Sequence, residues 1–205
     1  MKTFRILFAA ALLFTTSFVQ ANTQAADVVQ QMADQVIERL RTHKPLDDNQ
    51  AYKLVEELIL PNLDFTSFSR LTLGKYWRQA SPEQRTAFTN AFQQLLMRSY
   101  ATSLNAYNGE SIERLGERDE GDNRLLVQTQ MLRLQGAPVR IDYRLQLRDG
   151  RWKIYDVVIE GISLIMTYRT SFSEEISHIG LDALIVKLSD NNTKAGCLAG
   201  PQKGC

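Results

Sequence analysis

Cysteine is nearly missing from this chain: Cys197 and Cys205 are the only two, and both fall after the patterned part of the sequence has ended. No disulfide framework can therefore hold a core together. In an oxidising compartment the two are expected to pair, since Gly200, Pro201 and Gly204 let the short segment between them turn back. Such a bridge staples a tail. A metal centre would need further ligands, and His43 and His178, the only histidines, stand far from both cysteines in sequence. There is also no P-loop, no glycine-rich dinucleotide fingerprint, no nucleophile elbow and no HExxH pair. An excess of one charge is lacking too: 24 Lys plus Arg face 23 Asp plus Glu, so broad electrostatic capture of nucleic acid is not expected.

Long hydrophobic runs are confined to the start. Lys2 and Arg5 precede an uncharged apolar stretch from Ile6 to Phe14, too short to span a bilayer core of ~30 Å, and Val19 and Ala21 flank a plausible cut. This is the pattern of a removable export signal. The expected organisation is a signal peptide at 1–21, one domain at 22–190 and a Cys-containing tail at 191–205. The mature protein would be soluble and periplasmic. Without Lys2 and Arg5 its 22 basic residues face 23 acidic ones, a net charge of −1. One unit of this length can enclose a core and a cavity.

What is present is a change of period along the chain. From Asp27, Val28, Val29, Met32, Val36, Ile37 and Leu40 recur at helical spacing. Leu54, Val55 and Leu58 predict a second helix that Pro61 should end near Leu60, and Phe65, Phe68 and Leu71 a third from Asp64. Ser81, Pro82 and Gln84 form a capping box with proline in the first turn. The helix that starts there carries Phe88, Phe92, Leu95, Leu96, Tyr100, Leu104 and Tyr107, ending near Asn108 and Gly109. The period then becomes two: Val139, Ile141, Tyr143, Leu145 and Leu147 alternate with polar residues. Asp149–Gly150 predicts a hairpin turn into Trp152–Ile159, with earlier strands at Leu125–Leu134 and Ser111–Leu115. After Gly161, Leu164, Ile165, Tyr168, Phe172 and Ile176 restore the helical period, and Gly180 separates a last short helix with Leu184 and Leu188. The class is α+β, a four-stranded antiparallel meander with helices packed on one face of a curved sheet.

Candidate chemistry is sparse. His43 sits in a polar connection, and His178 lies where an imidazole meets the last carbonyls of a helix. Asp142 is on the polar side of its strand. Asp156 and Glu160 share parity with Trp152, Ile154 and Val158, so they are the candidates for inward acid–base carboxylates; the favoured reading is that they pair with arginine or sit at strand ends. Arg133, Arg140, Arg144 and Arg148 form a basic stripe suited to a wet sheet face. The positive feature is aromatic crowding between residues 65 and 107, where Phe65, Phe68, Tyr76, Trp77, Phe88, Phe92, Tyr100 and Tyr107 fall. Periodicity alone does not separate a filled aromatic core from a hollow one.

Leu60-Pro61-Asn62, Leu73-Gly74-Lys75-Tyr76-Trp77, Ser81 to Arg85 and the stretch Phe88 to Tyr100 carry a resemblance. So do Trp152, Tyr155-Asp156-Val157, Glu160-Gly161-Ile162-Ser163 and Gly180-Leu181-Asp182 with Leu184 and Leu188. In order and spacing these resemble the MlaC, or toluene-tolerance, family of periplasmic lipid-binding proteins, over nearly all of the mature chain. The resemblance implies an NTF2-like fold with a curved four-stranded sheet and helices enclosing a hydrophobic cavity for acyl chains. It also implies no catalysis and no cofactor, with bound phospholipid as cargo. Its implied partners are an inner-membrane Mla ABC transporter complex and an outer-membrane lipoprotein–porin complex, served by a monomeric shuttle that maintains outer-membrane lipid asymmetry. The Cys-containing tail departs from the family pattern. By residue type and face, the expected lining is Phe65, Phe68, Leu71, Phe88, Phe92, Leu96, Tyr100, Ile141, Tyr143, Leu145, Ile165 and Phe172. The alternatives are a small periplasmic hydrolase or isomerase using Asp156 or Glu160, and a protein-binding module with a solid interior.

Overall fold

The computed structural model describes residues 17–43 and 45–193. Most of the expected export signal and the expected Cys197–Cys205 bridge lie outside the described residues. Helix α1 (Ser17–His43) begins before Asp27, where the periodicity predicts it. Asp47 and Gln50 form a capping box for α2 (Asp48–Leu54). That helix continues through a π turn, Val55–Ile59, and a 3-10 turn, Leu60–Asn62. Pro61 therefore does not stop the helix at Leu60: it sits at the start of the tighter turn, where its missing N–H costs nothing. Asp64 accepts the Ser67 N–H at 2.8 Å and caps α3 (Phe65–Leu73). Gly74, at φ 54°, breaks the chain into the short α4 (Lys75–Gln79). The Ser81–Gln84 capping box opens α5 (Pro82–Leu104), which ends one turn short of the predicted Asn108.

Five antiparallel strands follow in chain order: β1 (Ser111–Gly121), β2 (Arg124–Leu132), β3 (Val139–Arg148), β4 (Arg151–Ile159) and β5 (Ile162–Ser163). Three of their connections are two-residue turns, Asp122–Asn123, Asp149–Gly150 and Glu160–Gly161, each with positive φ at both positions. This form matches the right-handed twist of the flanking strands. Helices α6 (Leu164–Ile179) and α7 (Leu181–Thr193) close the described chain. No helix among the described residues is long and apolar enough to cross a membrane.

The α+β class stands, but the NTF2-like, curved four-stranded sheet is corrected. The sheet has five strands and is open, neither curled nor closed, with β1 and β5 at opposite edges. The fifth strand arises because the Glu160–Gly161 turn reverses the chain onto β4, pairing Val158 with Ser163 and Ile159 with Ile162. At two residues it is too short to carry the sheet round on itself. β1 also runs well past Leu115, because Asp122 and Asn123 accept the left-handed geometry that a tight turn needs.

A β-bulge sets which residues of β4 face inward. Leu145 pairs with Ile154 but Arg144 pairs with Asp156, so Tyr155 is an extra residue on β4. Alternation restarts there. Val157 and Ile159 join Ile154 on the face of Tyr143 and Ile141, while Asp156 moves to the face of Arg144. The inward placement that parity suggests for Asp156 is thereby overturned. Its buried carboxylate accepts from Arg144 Nη1 at 3.0 Å, Ser163 Oγ at 2.7 Å and the Ile165 N–H at 3.2 Å. A negative group at the first turn of α6 is favoured by the helix dipole, so this carboxylate ties the sheet to α6.

The interior is divided among three apolar clusters. The first interlocks α3, α5, α6 and α7 through Phe68, Phe88, Phe92, Tyr168, Phe172 and Leu184. Phe92 is its hub, with ring centroids 5.1 Å from Tyr168, 5.3 Å from Phe172, 5.5 Å from Phe88 and 5.8 Å from Phe68. The second packs Ala25, Ala26, Val29 and Met32 of α1 on Leu125, Val127, Leu145, Trp152 and Ile154. The third joins Leu40, Leu54, Val55, Met97 and Ala101.

Replacing Asp156 with Ala should lower the unfolding free energy by about 2–4 kcal/mol in a urea titration, because three buried or half-buried donors lose their acceptor. A loss under about 0.5 kcal/mol would contradict the tie described above. Phe92→Ala should cost about 3–5 kcal/mol by the same measurement.

Candidate functional site

Between the three clusters lies a cavity of about 830 Å³, in the upper part of the roughly 300–1,000 Å³ range of ligand pockets. Every cluster contributes to its wall. From α1 come Met32, Ala33, Val36, Ile37 and Leu40, from the π turn Val55 and Ile59, and from the segment before α3 Leu60 and Leu63. Phe65 and Phe68 of α3 and Leu96, Met97 and Tyr100 of α5 complete the helical side. The sheet supplies Ile112, Met131, Ile141, Tyr143, Ile154, Val157 and Ile159, and α6 adds Leu164. The ladder explains this choice: Ile112 pairs with Met131, Ile141 with Ile159 and Tyr143 with Val157, and paired residues share a face.

Polar lining residues gather at one end. Thr102, Ser103, Glu110, Ser111 and Arg133 stand beside Ala106 and Tyr107, where α5 gives way to β1 and β2 ends. Thr102, Ser103, Ala106 and Arg133 are exposed, so this end is the mouth. Glu110 accepts the Asn108 N–H, and Arg133 donates to the Ala137 carbonyl at 2.8 and 3.0 Å. Further in, the only polar side-chain atoms on the described wall are the hydroxyls of Tyr100 and Tyr143. Burial pushes the Tyr143 phenol up to about 12, and likewise that of Tyr100. Tyr168 is raised as well, first by burial and second by the neighbouring Tyr100. All three stay neutral donors at physiological pH.

The structure sorts the expected lining into two groups. Phe65, Phe68, Leu96, Tyr100, Ile141 and Tyr143 are brought together on the cavity wall. Leu71, Phe88, Phe92, Ile165 and Phe172 belong instead to the helical cluster, and Leu145 to the cluster beneath α1. The wall from α1 and the π turn was not anticipated from sequence. Its signal was the breadth of the α1 stripe, where Val36 and Ile37 lie side by side and widen the apolar face beyond what one packing partner covers.

Neither candidate carboxylate stands among the described residues of the wall. Asp156 is occupied by its three donors and faces away from the cavity, and Glu160 is exposed in a turn, accepting the Arg140 N–H. Among the described residues no group of three or more His, Cys, Asp or Glu side chains is placed to hold a metal ion.

A solved structure of a phospholipid-binding protein from Ralstonia solanacearum, in complex with a phospholipid, is similar with a TM-score of 0.77 and 28% identity, over 83% of this chain and 98% of that one. The intermembrane phospholipid transport system binding protein MlaC of Haemophilus influenzae is 26% identical over 198 residues, 93% of this chain and 92% of its own length. Toluene tolerance protein ttg2D of Pseudomonas putida is 28% identical over 160 residues, 76% and 74% of the two chains. The family model described as MlaC protein matches residues 30–190. With most of the chain matched and the same residues forming the helices and sheet around the cavity, this protein belongs to the MlaC family.

Proposed function

We propose that this chain is a periplasmic phospholipid carrier, holding acyl chains in the cavity with the polar headgroup at the Arg133–Glu110 mouth. The observation that carries the reading is the wall itself: apolar side chains from helices and sheet alike enclose a lipid-sized space that no side chain fills. Two acyl chains with on the order of thirty methylenes, at ~0.8 kcal/mol each, would cost roughly 20 kcal/mol to expose to water. A lipid crossing an aqueous compartment therefore needs such an enclosure. In this reading Phe65, Phe68, Leu96, Tyr100, Ile141 and Tyr143 touch the tails together with Met32, Val36, Ile37 and Leu40 of α1. Phe88, Phe92 and Phe172 hold the helical wall in shape.

The carrier serves an Mla-type ABC transport system, taking lipid from one membrane's component and giving it to the other's. An inner-membrane transporter complex and an outer-membrane lipoprotein–porin complex are the partners this assigns. The likeness to the MlaC protein of Haemophilus influenzae supports the assignment. Bound phospholipid is cargo and not a cofactor, a reading supported by the likeness to the Ralstonia solanacearum protein solved in complex with a phospholipid. An acid–base enzyme is disfavoured because both candidate carboxylates are engaged in structural hydrogen bonds away from the wall.

Val36→Trp and Ile37→Trp should place an indole in the cavity without disturbing the aromatic cluster. Phospholipid extracted from the purified variants should fall at least about tenfold relative to wild type, which takes more than ~1.4 kcal/mol of lost affinity, with an unchanged far-UV spectrum. Full lipid occupancy in both folded variants would contradict the reading. Transfer of labelled phospholipid between donor and acceptor vesicles should fall in parallel.

A further inference from the structure

Tyr143 is the anomaly of the cavity wall. It lies in mid-sheet, opposite Val127 on β2 and Val157 on β4, with Ile141, Ile154, Val157 and Ile159 as its companions on the wall. Its hydroxyl has no hydrogen-bond partner among the described residues, and burial alone accounts for its raised pKa, with no charged neighbour contributing. Tyr100, the other inner phenol, lies one turn of α5 from Ser103 at the mouth. A phenylalanine would complete an apolar wall without leaving a donor unmet.

Position defines what could meet that donor. Ser111, at the mouth, pairs with Leu132, and Tyr143 pairs with Val127, five residues further along β2. At ~3.4 Å per residue this is roughly 17 Å. A headgroup at the mouth leaves its ester oxygens well short of Tyr143, so the phenol stands among the tails. Water can serve the hydroxyl while the cavity is solvated. Acyl chains that fill the cavity expel that water, and a fully saturated chain offers nothing in return, so the buried donor is left unmet. A site with such a group discriminates against ligands that lack its counterpart.

We propose that Tyr143 selects cargo whose acyl chain carries a hydrogen-bond acceptor part-way along its length, an oxygen substituent or, more weakly, the π electrons of a cis double bond. This rests on the carrier reading above and adds a chain preference to it. The selectivity lies in the tail, not in the headgroup.

The test uses the delipidated full chain and three phosphatidylglycerols with the same headgroup and chain length: distearoyl, dioleoyl and mid-chain hydroxystearoyl. Wild type should bind the hydroxylated lipid about tenfold more tightly than the saturated one, equivalent to about 1.4 kcal/mol, with the unsaturated lipid between them. Tyr143→Phe, which removes one oxygen and keeps the ring, should lose the preference and bind the hydroxylated lipid no more tightly than the saturated one. A preference for the hydroxylated lipid that vanishes in the variant identifies an oxygen acceptor, and one for the unsaturated lipid alone identifies the double bond. Equal affinities in wild type, or the same ratios in both proteins, would overturn the proposal. Failure of both proteins to take up any of the three lipids would instead overturn the carrier reading.

Discussion

The interlock of Phe68, Phe88, Phe92, Tyr168 and Phe172 is the interaction on which the rest depends. It lets α3, α5, α6 and α7 satisfy much of one another's apolar faces, with Tyr155, Val157 and Ile159 of β4 packed against them. In a domain with one contiguous core the sheet's inner face would be consumed by that helical layer. Here α1 covers only part of it, through Ala25, Ala26, Val29 and Met32, and the remainder, from Ile112 to Ile159, is left facing a gap. The gap persists because packed aromatic rings resist collapse: moving α5 toward the sheet would pull Phe92 out of its ring contacts with Phe68, Tyr168 and Phe172.

Two smaller devices set the chemistry of that gap. The extra residue at Tyr155 brings Val157 and Ile159 to the wall and takes the Asp156 carboxylate away from it. Without the bulge, strict alternation would put a charge where the fatty tails are proposed to lie. The displaced carboxylate is then held by Arg144, Ser163 and the start of α6, which fastens the helical layer to the sheet on the side away from the mouth. One backbone irregularity thus serves both an apolar interior and the joint between the layers.

Much of this was legible in the sequence, at the level where local chemistry decides. The Ser81–Gln84 box, the Asp149–Gly150 turn and the alternation of β3 each carry their own physical reason and appear where the spacing predicts them. What escaped depends on partners remote in sequence. Phe88, Phe92, Leu96 and Tyr100 share one stripe of α5, but that helix is about 35 Å long at ~1.5 Å per residue, and its cavity-lining residues begin at Leu96. Its first half meets α6 and α7, and its second half meets the gap, a division that no period encodes. The bulge at Tyr155 and the strand at Ile162–Ser163 were hidden for a related reason: alternation reads the same with or without an inserted residue until a neighbouring strand supplies the register. The four strands and the curved sheet were read from the alternating segments and the NTF2-like fold from family likeness, and the open five-strand meander replaces both.

The central claim is that the space between helices and sheet is occupied by lipid tails in the working protein. Native mass spectrometry of the exported chain, purified without detergent, tests this most directly. The account predicts a dominant species heavier than the polypeptide by the mass of a phospholipid, with that lipid recovered on organic extraction. A species at the bare polypeptide mass, with no lipid in the extract, would contradict it.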